Sequence, residues 1–160
     1  MLNLSANPAM SAKDKAAGGG WVGFELAGQR YALDILCVQE VLTKVAIEAV
    51  PGAPSAVLGV INLRGRIVSV VDLRQCLGLP PGEDTPQSHI VIADIGDELM
   101  GLRVDGIAKA CVIVGSEIKS VPATRGRIPD PLVLGMVGTG DHLLTLLNTQ
   151  QLALVAAALM

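Results

Sequence analysis

The sequence predicts a protein of the all-β class, mostly strands with short capping helices, in which two small barrels pack together. Three observations predict this fold. Short β-branched runs alternate with Gly-rich turns, the pattern occurs twice, and each half of the 160-residue chain is too short for a wide sheet. Hydrophobic residues make up 51% of the chain, whereas Phe, Tyr and Trp occur once each. We therefore expect an aliphatic core.

The charge and cysteine content exclude several classes of function. Twelve basic and 15 acidic residues give a net charge of −3, and few aromatic rings remain to stack bases, so no nucleic acid partner is expected. No apolar run approaches the length of about 18 residues that membrane insertion requires. The isolated cysteines Cys37, Cys76 and Cys111 predict neither a disulfide framework nor a zinc site, and they suit a reduced cytoplasmic setting.

The first half of the chain predicts a leader and two hairpins. Residues 1–20 are small and polar and end in three glycines, so we expect a disordered leader. The segment 35–42 mixes apolar and polar residues, and its period does not decide between a strand and one or two helical turns. The predicted hairpin strands are Trp21–Leu26, Arg30–Leu33, Val57–Leu63 and Ile67–Val71.

The second half repeats this pattern after a loop. Residues 78–88 hold three prolines and two glycines, so we expect a first barrel at about 21–80 and a second at about 88–150, which meet near 78–90. A C-terminal helix is expected at about 148–160. The predicted strands of this half are His89–Asp94, Met100–Val104, Ala108–Val114, Val133–Val137 and Leu143–Leu147.

An internal repeat supports this division. The triplet Val-Leu-Gly that ends at Gly59 recurs 76 residues later and ends at Gly135. At the same offset Asp72 corresponds to Asn148, and each is followed three residues later by Gln. This spacing resembles a capping box, so a short helix is expected to begin after Asp72 and another after Asn148.

Candidates for chemistry are scarce. No nucleophile elbow, zinc-protease motif or phosphate-binding loop occurs, and Gly138-Thr139-Gly140 lacks the third glycine of a dinucleotide site. His89 and His142 are far apart and are interpreted as surface residues. The pair Glu83-Asp84 lies in a Pro/Gly loop and supplies too few ligands for a metal. We therefore expect no catalytic residue, no metal and no cofactor.

The most informative segment is Gly59 to Arg74, which reads G-V-I-N-L-R-G-R-I-V-S-V-V-D-L-R. A hairpin with arginines at its tip explains most of it, because turns need Gly and Asp72 can cap a helix. A hairpin alone does not explain why Asn62 and Arg64 flank the end of an apolar strand.

This segment resembles the hallmark of the CheW family of bacterial chemotaxis coupling proteins, G-V-I-N-L-R-G-x-x-x-P-V-x-D-L-R. Gly59 to Gly65 matches it, as does Asp72-Leu73-Arg74, while Ser69 stands where the family usually has Pro. The segments Y-A-L-D-I-L-C-V-Q-E-V-L (31–42) and M-G-L-R-V-D-G-I (100–107) also resemble family segments. The resemblance extends from residue 21 to about residue 155.

The resemblance implies two five-stranded SH3-like barrels and a non-enzymatic adaptor of a two-component system. Such an adaptor couples the cytoplasmic tip of chemoreceptors, the methyl-accepting chemotaxis proteins, to the regulatory domain of a CheA-type histidine kinase. It works in the cytoplasm, at receptor arrays on the inner membrane. The residues it places in kinase and receptor binding are Val38, Glu40, Gly59, Asn62, Arg64 and Gly65. We expect an Arg64–Glu40 ion pair, which contributes little to stability if it is exposed.

Two other functions stay open at this point. One is a CheW-like adaptor of a pilus, gliding-motility or other chemosensory-type pathway, since rim residues spread over the surface determine the choice of partner. The other is a small β-barrel enzyme, which would need titratable groups that converge in one cleft.

Overall fold

The structure is a computed structural model, and it describes residues 2–3, 19–43, 45–113, 118–119, 130–138 and 142–159. These residues form strands joined mostly by tight turns, with little helix. The strands are β1 (Leu2–Asn3), β2 (Gly19–Leu26), β3 (Gln29–Asp34), β4 (Val38–Leu42), β5 (Val57–Leu63), β6 (Arg66–Asp72), β7 (His89–Ile95), β8 (Glu98–Val104), β9 (Gly106–Ile113), β10 (Val133–Val137) and β11 (Leu144–Leu147). The helices are α1 (Leu73–Cys76) and α2 (Thr149–Leu159), and 3-10 turns cover Ile35–Cys37 and Asp130–Leu132.

The strands form two sheets. Sheet 1 has the order β1-β4-β7-β8-β6-β5, and sheet 2 has the order β10-β11-β3-β2-β9. Without the two-residue β1, each sheet has five strands. The predicted fold class is therefore confirmed as a mostly β protein with two five-stranded sheets. That each sheet closes into an SH3-like barrel stays a prediction.

The two sheets do not follow the two halves of the chain. The hairpin β2–β3 joins sheet 2, and the hairpin β7–β8 joins sheet 1, so each half gives its first hairpin to the other half's sheet. Parallel pairs make this exchange, with Ser69 beside Met100 and Tyr31 beside Thr145. The two sheets therefore do not coincide with the segments of about 21–80 and 88–150, whose limits as barrels stay a prediction. A hairpin is a local pattern, and its sequence does not indicate which further strands it will pair with.

Parts of the predicted disordered leader belong to the sheets. Leu2 and Asn3 pair with β4, and β2 begins at Gly19. A Cβ on Gly20 would lie 2.7 Å from a side-chain carbon of Ile35, so this glycine lets β2 approach the 3-10 turn closely. Gly19 and Gly20 thus serve as strand residues. The rest of the leader, residue 1 and residues 4–18, lies outside the described residues.

The repeat seen in the sequence is present in the structure. After β4 the chain returns to β5, where Glu48 and Val60 exchange hydrogen bonds of 2.9 and 2.8 Å. After β9, Lys119 and Met136 exchange two bonds of 2.8 Å in the corresponding place. The register shifts at Gly59 in one copy and at Gly135 in the other. In sheet 1 these bonds connect the segment after β4 with β5, and in sheet 2 they connect the segment after β9 with β10.

The largest core lies between the sheets and is mainly aliphatic. It takes side chains from sheet 1, sheet 2 and both helices, for example Val71, Leu33 and Leu152. A second cluster contains sheet 1 residues such as Ile61 and Val70, and a third groups Trp21 with sheet 2 residues. Because the central core needs both sheets, neither sheet buries its apolar face alone.

Both predicted helix starts are confirmed. Asp72 Oδ1 accepts from Arg74 N–H at 3.1 Å, and Asn148 Oδ1 accepts from Gln150 N–H at 3.1 Å. The reciprocal half of a capping box is absent at α1, because the Asp72 N–H donates instead to the Ala56 carbonyl at 2.8 Å and Gln75 Oε1 accepts from the Ser55 hydroxyl at 3.2 Å. In the described part of the chain, no helix has the length and apolar character needed to span a membrane.

Candidate partner-binding site

The tip of the β5–β6 hairpin carries the central residue of the site. Arg64 and Gly65 form a two-residue turn with φ values of +51° and +85°. Positive φ at both positions is the type I′ geometry that matches the twist of paired strands. Asn62 Oδ1 accepts a hydrogen bond of 2.8 Å from Gly65 N–H and so spans the turn. This bond accounts for the polar residue near the end of an apolar strand.

The Arg64 guanidinium forms the expected ion pair, Nη2 with Glu40 Oε2. The two side chains differ sharply in exposure, 63% for Arg64 and 3% for Glu40. Glu40 lies on β4, so the pair joins this strand to the opposite end of the sheet 1 order. Glu40 Oε1 is also buried and has no hydrogen-bond partner among the described residues.

Because Glu40 is buried, the ion pair matters more for stability than the exposed pair that the sequence suggested. An exposed pair would contribute little, but a carboxylate taken out of water is costly unless a partner compensates it. Arg64 is that partner for Glu40. Removing the arginine alone would leave a buried charge, so Arg64 contributes to folding as well as to the surface.

The six predicted binding residues divide into a surface group and a buried group. Asn62, Arg64 and Gly65 are exposed at the hairpin tip. Val38 is 1% exposed within the core between the sheets, and its role in binding stays a prediction. Gly59 is buried at φ +147°, and a Cβ there would lie 2.1 Å from the Glu48 carbonyl oxygen. Gly59 therefore allows the close approach of the Glu48 backbone to β5, and the buried Glu40 pairs with Arg64.

Sequence reasoning missed one residue of this surface. Ile67 pairs with Asn62 across the hairpin and is 68% exposed, the largest value among the exposed large hydrophobic residues of the described chain. Alternation in β6 could have found it, because Val68 and Val70 face inward and Ile67 therefore faces outward. The tip thus presents an apolar side chain next to the arginine.

The D-L-R and V-D-G motifs meet in a second polar cluster. Arg74 Nε lies 3.0 and 3.1 Å from the two carboxylate oxygens of Asp105, and Arg74 Nη2 also pairs with Asp105. Asp105 Oδ2 accepts from Ala27 N–H at 2.8 Å. Burial opposes ionisation of Asp105, but these hydrogen bonds outweigh it and hold the pKa of the carboxyl below its ordinary value. Asp105 stands between β8 and β9, so this cluster fastens sheet 1 to sheet 2.

No group of three or more His, Cys, Asp or Glu side chains in the described ranges could hold a metal ion. A cleft of about 480 Å³ is lined by Asp84, His89 and Arg103, among others. His89 Nδ1 lies 2.6 Å from the Gln87 carbonyl oxygen, and Arg103 Nη2 donates to the Gly82 carbonyl at 2.6 Å. Both side chains therefore contact backbone carbonyls of the loop 78–88.

The two cysteine side chains that the structure describes differ in burial. Burial raises the pKa of the Cys76 thiol to about 11, so it is protonated at neutral pH. Cys37 is half-buried, and the side chain of Cys111 lies outside the described residues.

Comparison with known proteins gives the family. The sequence pattern of the CheW-like domain matches residues 20–156. The chain belongs to the CheW-like family. It is 31% identical over 125 residues to the chemotaxis protein CheW of Bacillus subtilis, covering 78% of this chain and 80% of that protein. It is 25% identical over 131 residues to a probable chemotaxis protein CheW of Rhizobium etli, covering 82% of this chain and 84% of that protein.

A solved structure agrees with this assignment. The scaffolding protein TtCheW from Thermoanaerobacter tengcongensis superposes with a TM-score of 0.75 at 32% sequence identity. The match covers 84% of this chain and 91% of that one. The chain therefore shares its fold with a scaffolding protein over most of its length.

Proposed function

We propose that this chain, a CheW-type adaptor of chemotaxis, couples the cytoplasmic tip of a chemoreceptor to the regulatory domain of a CheA-type histidine kinase. The exposed surface for this role is the hairpin tip of Arg64 and Ile67. The adaptor works without catalysis of its own, in the cytoplasm at receptor arrays on the inner membrane.

One observation supports the tip most directly: an arginine with a 63% exposed side chain is held over a buried carboxylate beside an isoleucine that is 68% exposed. Burying the Ile67 side chain against a partner would remove its apolar surface from water, and this would favour association. A planar guanidinium next to it supplies directional donors for a carboxylate or carbonyl of the partner.

The test measures binding of the purified chain to a kinase regulatory domain and to a receptor cytoplasmic fragment. The variant Glu40→Met/Arg64→Ala removes the contact arginine without leaving a buried charge behind. We expect it to lose at least about tenfold in affinity for one partner or both, because truncating a charged group in a desolvated contact typically costs that much or more. Arg30→Ala removes an exposed arginine of sheet 2 and is expected to bind like the wild type.

The coupling role has its own readout. Kinase autophosphorylation is expected to respond to receptor only when the adaptor is present, and the double variant is expected to weaken that response. A kinase that responds fully to receptor in the absence of the chain would contradict coupling. Wild-type affinity of the double variant for both partners would contradict the tip as the binding surface.

A further inference from the structure

The β5–β6 turn differs from the other tight hairpins of the described residues. The β2–β3 turn, Ala27-Gly28, and the β7–β8 turn, Gly96-Asp97, also have two residues with positive φ. The residue in the position that corresponds to Asn62 is Glu25 in the first and Asp94 in the second. Neither of these makes a side-chain bond to its own turn among the described contacts, and Asp94 instead accepts from Gln39. The hairpins of this fold therefore form without such a bond.

The hydrogen bond between Asn62 and Gly65 thus occurs in the hairpin whose turn carries the long side chain of Arg64. Arg64 adopts a φ of +51°, a conformation that an L-residue other than Gly, Asn or Asp rarely adopts. A Cβ added to the next residue, Gly65, would meet no atom within 4 Å, so packing does not hold the turn from outside. Strand pairing reaches Leu63 and Arg66 on the two sides of the turn, and the Asn62 Oδ1 bond to Gly65 N–H is the side-chain contact that holds the turn between them.

We propose that Asn62 is a positioning residue, whose side chain locks the turn so that the Arg64 guanidinium lies over Glu40 and faces a partner. This inference rests on the proposed function of the tip. It gives Asn62 a role through Arg64 instead of the direct contact that the family resemblance implied. The rigid turn reduces the freedom that Arg64 would otherwise lose on binding, and such preorganisation favours affinity.

The experiment compares Asn62→Ala with Asn62→Asp in the same binding assay. Asn62→Ala removes the acceptor, and we expect affinity to fall roughly three- to tenfold, the size of one hydrogen bond's net contribution. Asn62→Asp retains an acceptor for Gly65 N–H and is expected to restore most of the affinity. Glu25→Ala, at the corresponding position of the β2–β3 hairpin, is expected to bind like the wild type.

A second pair of variants separates positioning from a general structural effect. Asn62→Ala is added to the Glu40→Met/Arg64→Ala background, where no arginine remains to be positioned. We expect no further loss of affinity there, because two residues that act as one unit are not additive. An equal loss with and without Arg64 would overturn the positioning role.

The outcomes also distinguish this inference from the proposed function. If the background variant binds like the wild type, the tip is not the partner surface and both ideas fail together. If the background variant binds weakly while Asn62→Ala retains full affinity, the tip stands and the positioning role alone is overturned.

Discussion

At the scale of single residues, Glu40 and Arg64 have unequal roles in one ion pair. Glu40 is 3% exposed and depends on Arg64, whereas Arg64 is 63% exposed and can be solvated without Glu40. A buried group is costly to leave unpaired, but replacing it with an apolar group of similar shape removes the cost. The changes in the free energy of unfolding that Arg64→Ala and Glu40→Met cause should therefore differ in sign or in size.

We expect Arg64→Ala to lower the free energy of unfolding by about 1–3 kcal/mol. Glu40→Met should leave the free energy of unfolding within about 1 kcal/mol of the wild-type value or raise it, because its neighbours on β4 and β7 are aliphatic. The double variant should recover the stability that Arg64→Ala loses. Urea denaturation of the three variants measures this, and an equal loss from both single changes would show that Glu40 is not a dependent buried charge.

The sequence could predict that Arg64 and Glu40 meet, but it could not predict that Glu40 is buried. A register shift between Val38 and Glu40 places Val38 with the core between the sheets and Glu40 on the side of Leu42. Simple alternation would put Val38 and Glu40 on one face. A one-residue bulge leaves no clear trace in a pattern of apolar and polar letters.

At the scale of elements, the strands and hairpins were predictable because their signals are local. Gly at turns, β-branched runs and an Asp or Asn before each helix gave boundaries close to those observed. The segment 35–42 stayed undecided because it holds both alternatives, a 3-10 turn over Ile35–Cys37 and then strand β4. Gly59 lies within a strand, and its purpose becomes clear only when the returning segment at Glu48 is known.

Two glycines of the same hairpin test this difference between a turn and a close approach. Gly65→Ala meets open space and should cost only about 1–2 kcal/mol of stability, from the positive φ of +85°. Gly59→Ala must displace the Glu48 carbonyl at 2.1 Å and should cost more, about 3 kcal/mol or beyond, by breaking the exchange with Val60. Thermal unfolding ranks the two variants, and a smaller loss for Gly59→Ala would show that the 47–48 segment yields easily.

At the scale of the whole molecule, the exchange of hairpins explains why the family motifs contain Arg74 and Asp105. Arg74 lies in α1, which follows β6 of sheet 1, and Asp105 is the one residue between β8 of sheet 1 and β9 of sheet 2. The Ala27 amide, from the turn of the exchanged hairpin, completes the cluster. Sequence spacing could not reveal this arrangement, since the antiparallel β2–β9 pair brings residues 27 and 105 together and the parallel β6–β8 pair brings residues 74 and 105 together, and both pairs are non-local. We therefore assign these motif residues to holding the two sheets in register.

The titration of Asp105 tests that assignment. Its pKa is lower in the folded chain than in the unfolded chain, where it is about 3.9. The stability that it contributes is therefore complete above the unfolded value and is lost as the pH falls through the folded value. We expect Asp105→Asn to lower the free energy of unfolding by about 1.5–3 kcal/mol at pH 7, the range for hydrogen bonds to charged groups. This difference from the wild type should shrink as the pH falls below about 3.9, because protonation then removes the same charge from the wild type.

Urea denaturation at neutral and acidic pH measures the effect, with Asp84→Asn as the matched control. Asp84 is an exposed acid of the loop 78–88 and makes no bond among the described contacts, so its amide variant should follow the wild type at both pH values. A loss from Asp105→Asn that is equally large in acid would mean that shape, not charge, fastens the sheets. No loss at pH 7 would mean that the shared core between the sheets holds them without the cluster, since that core takes side chains from both.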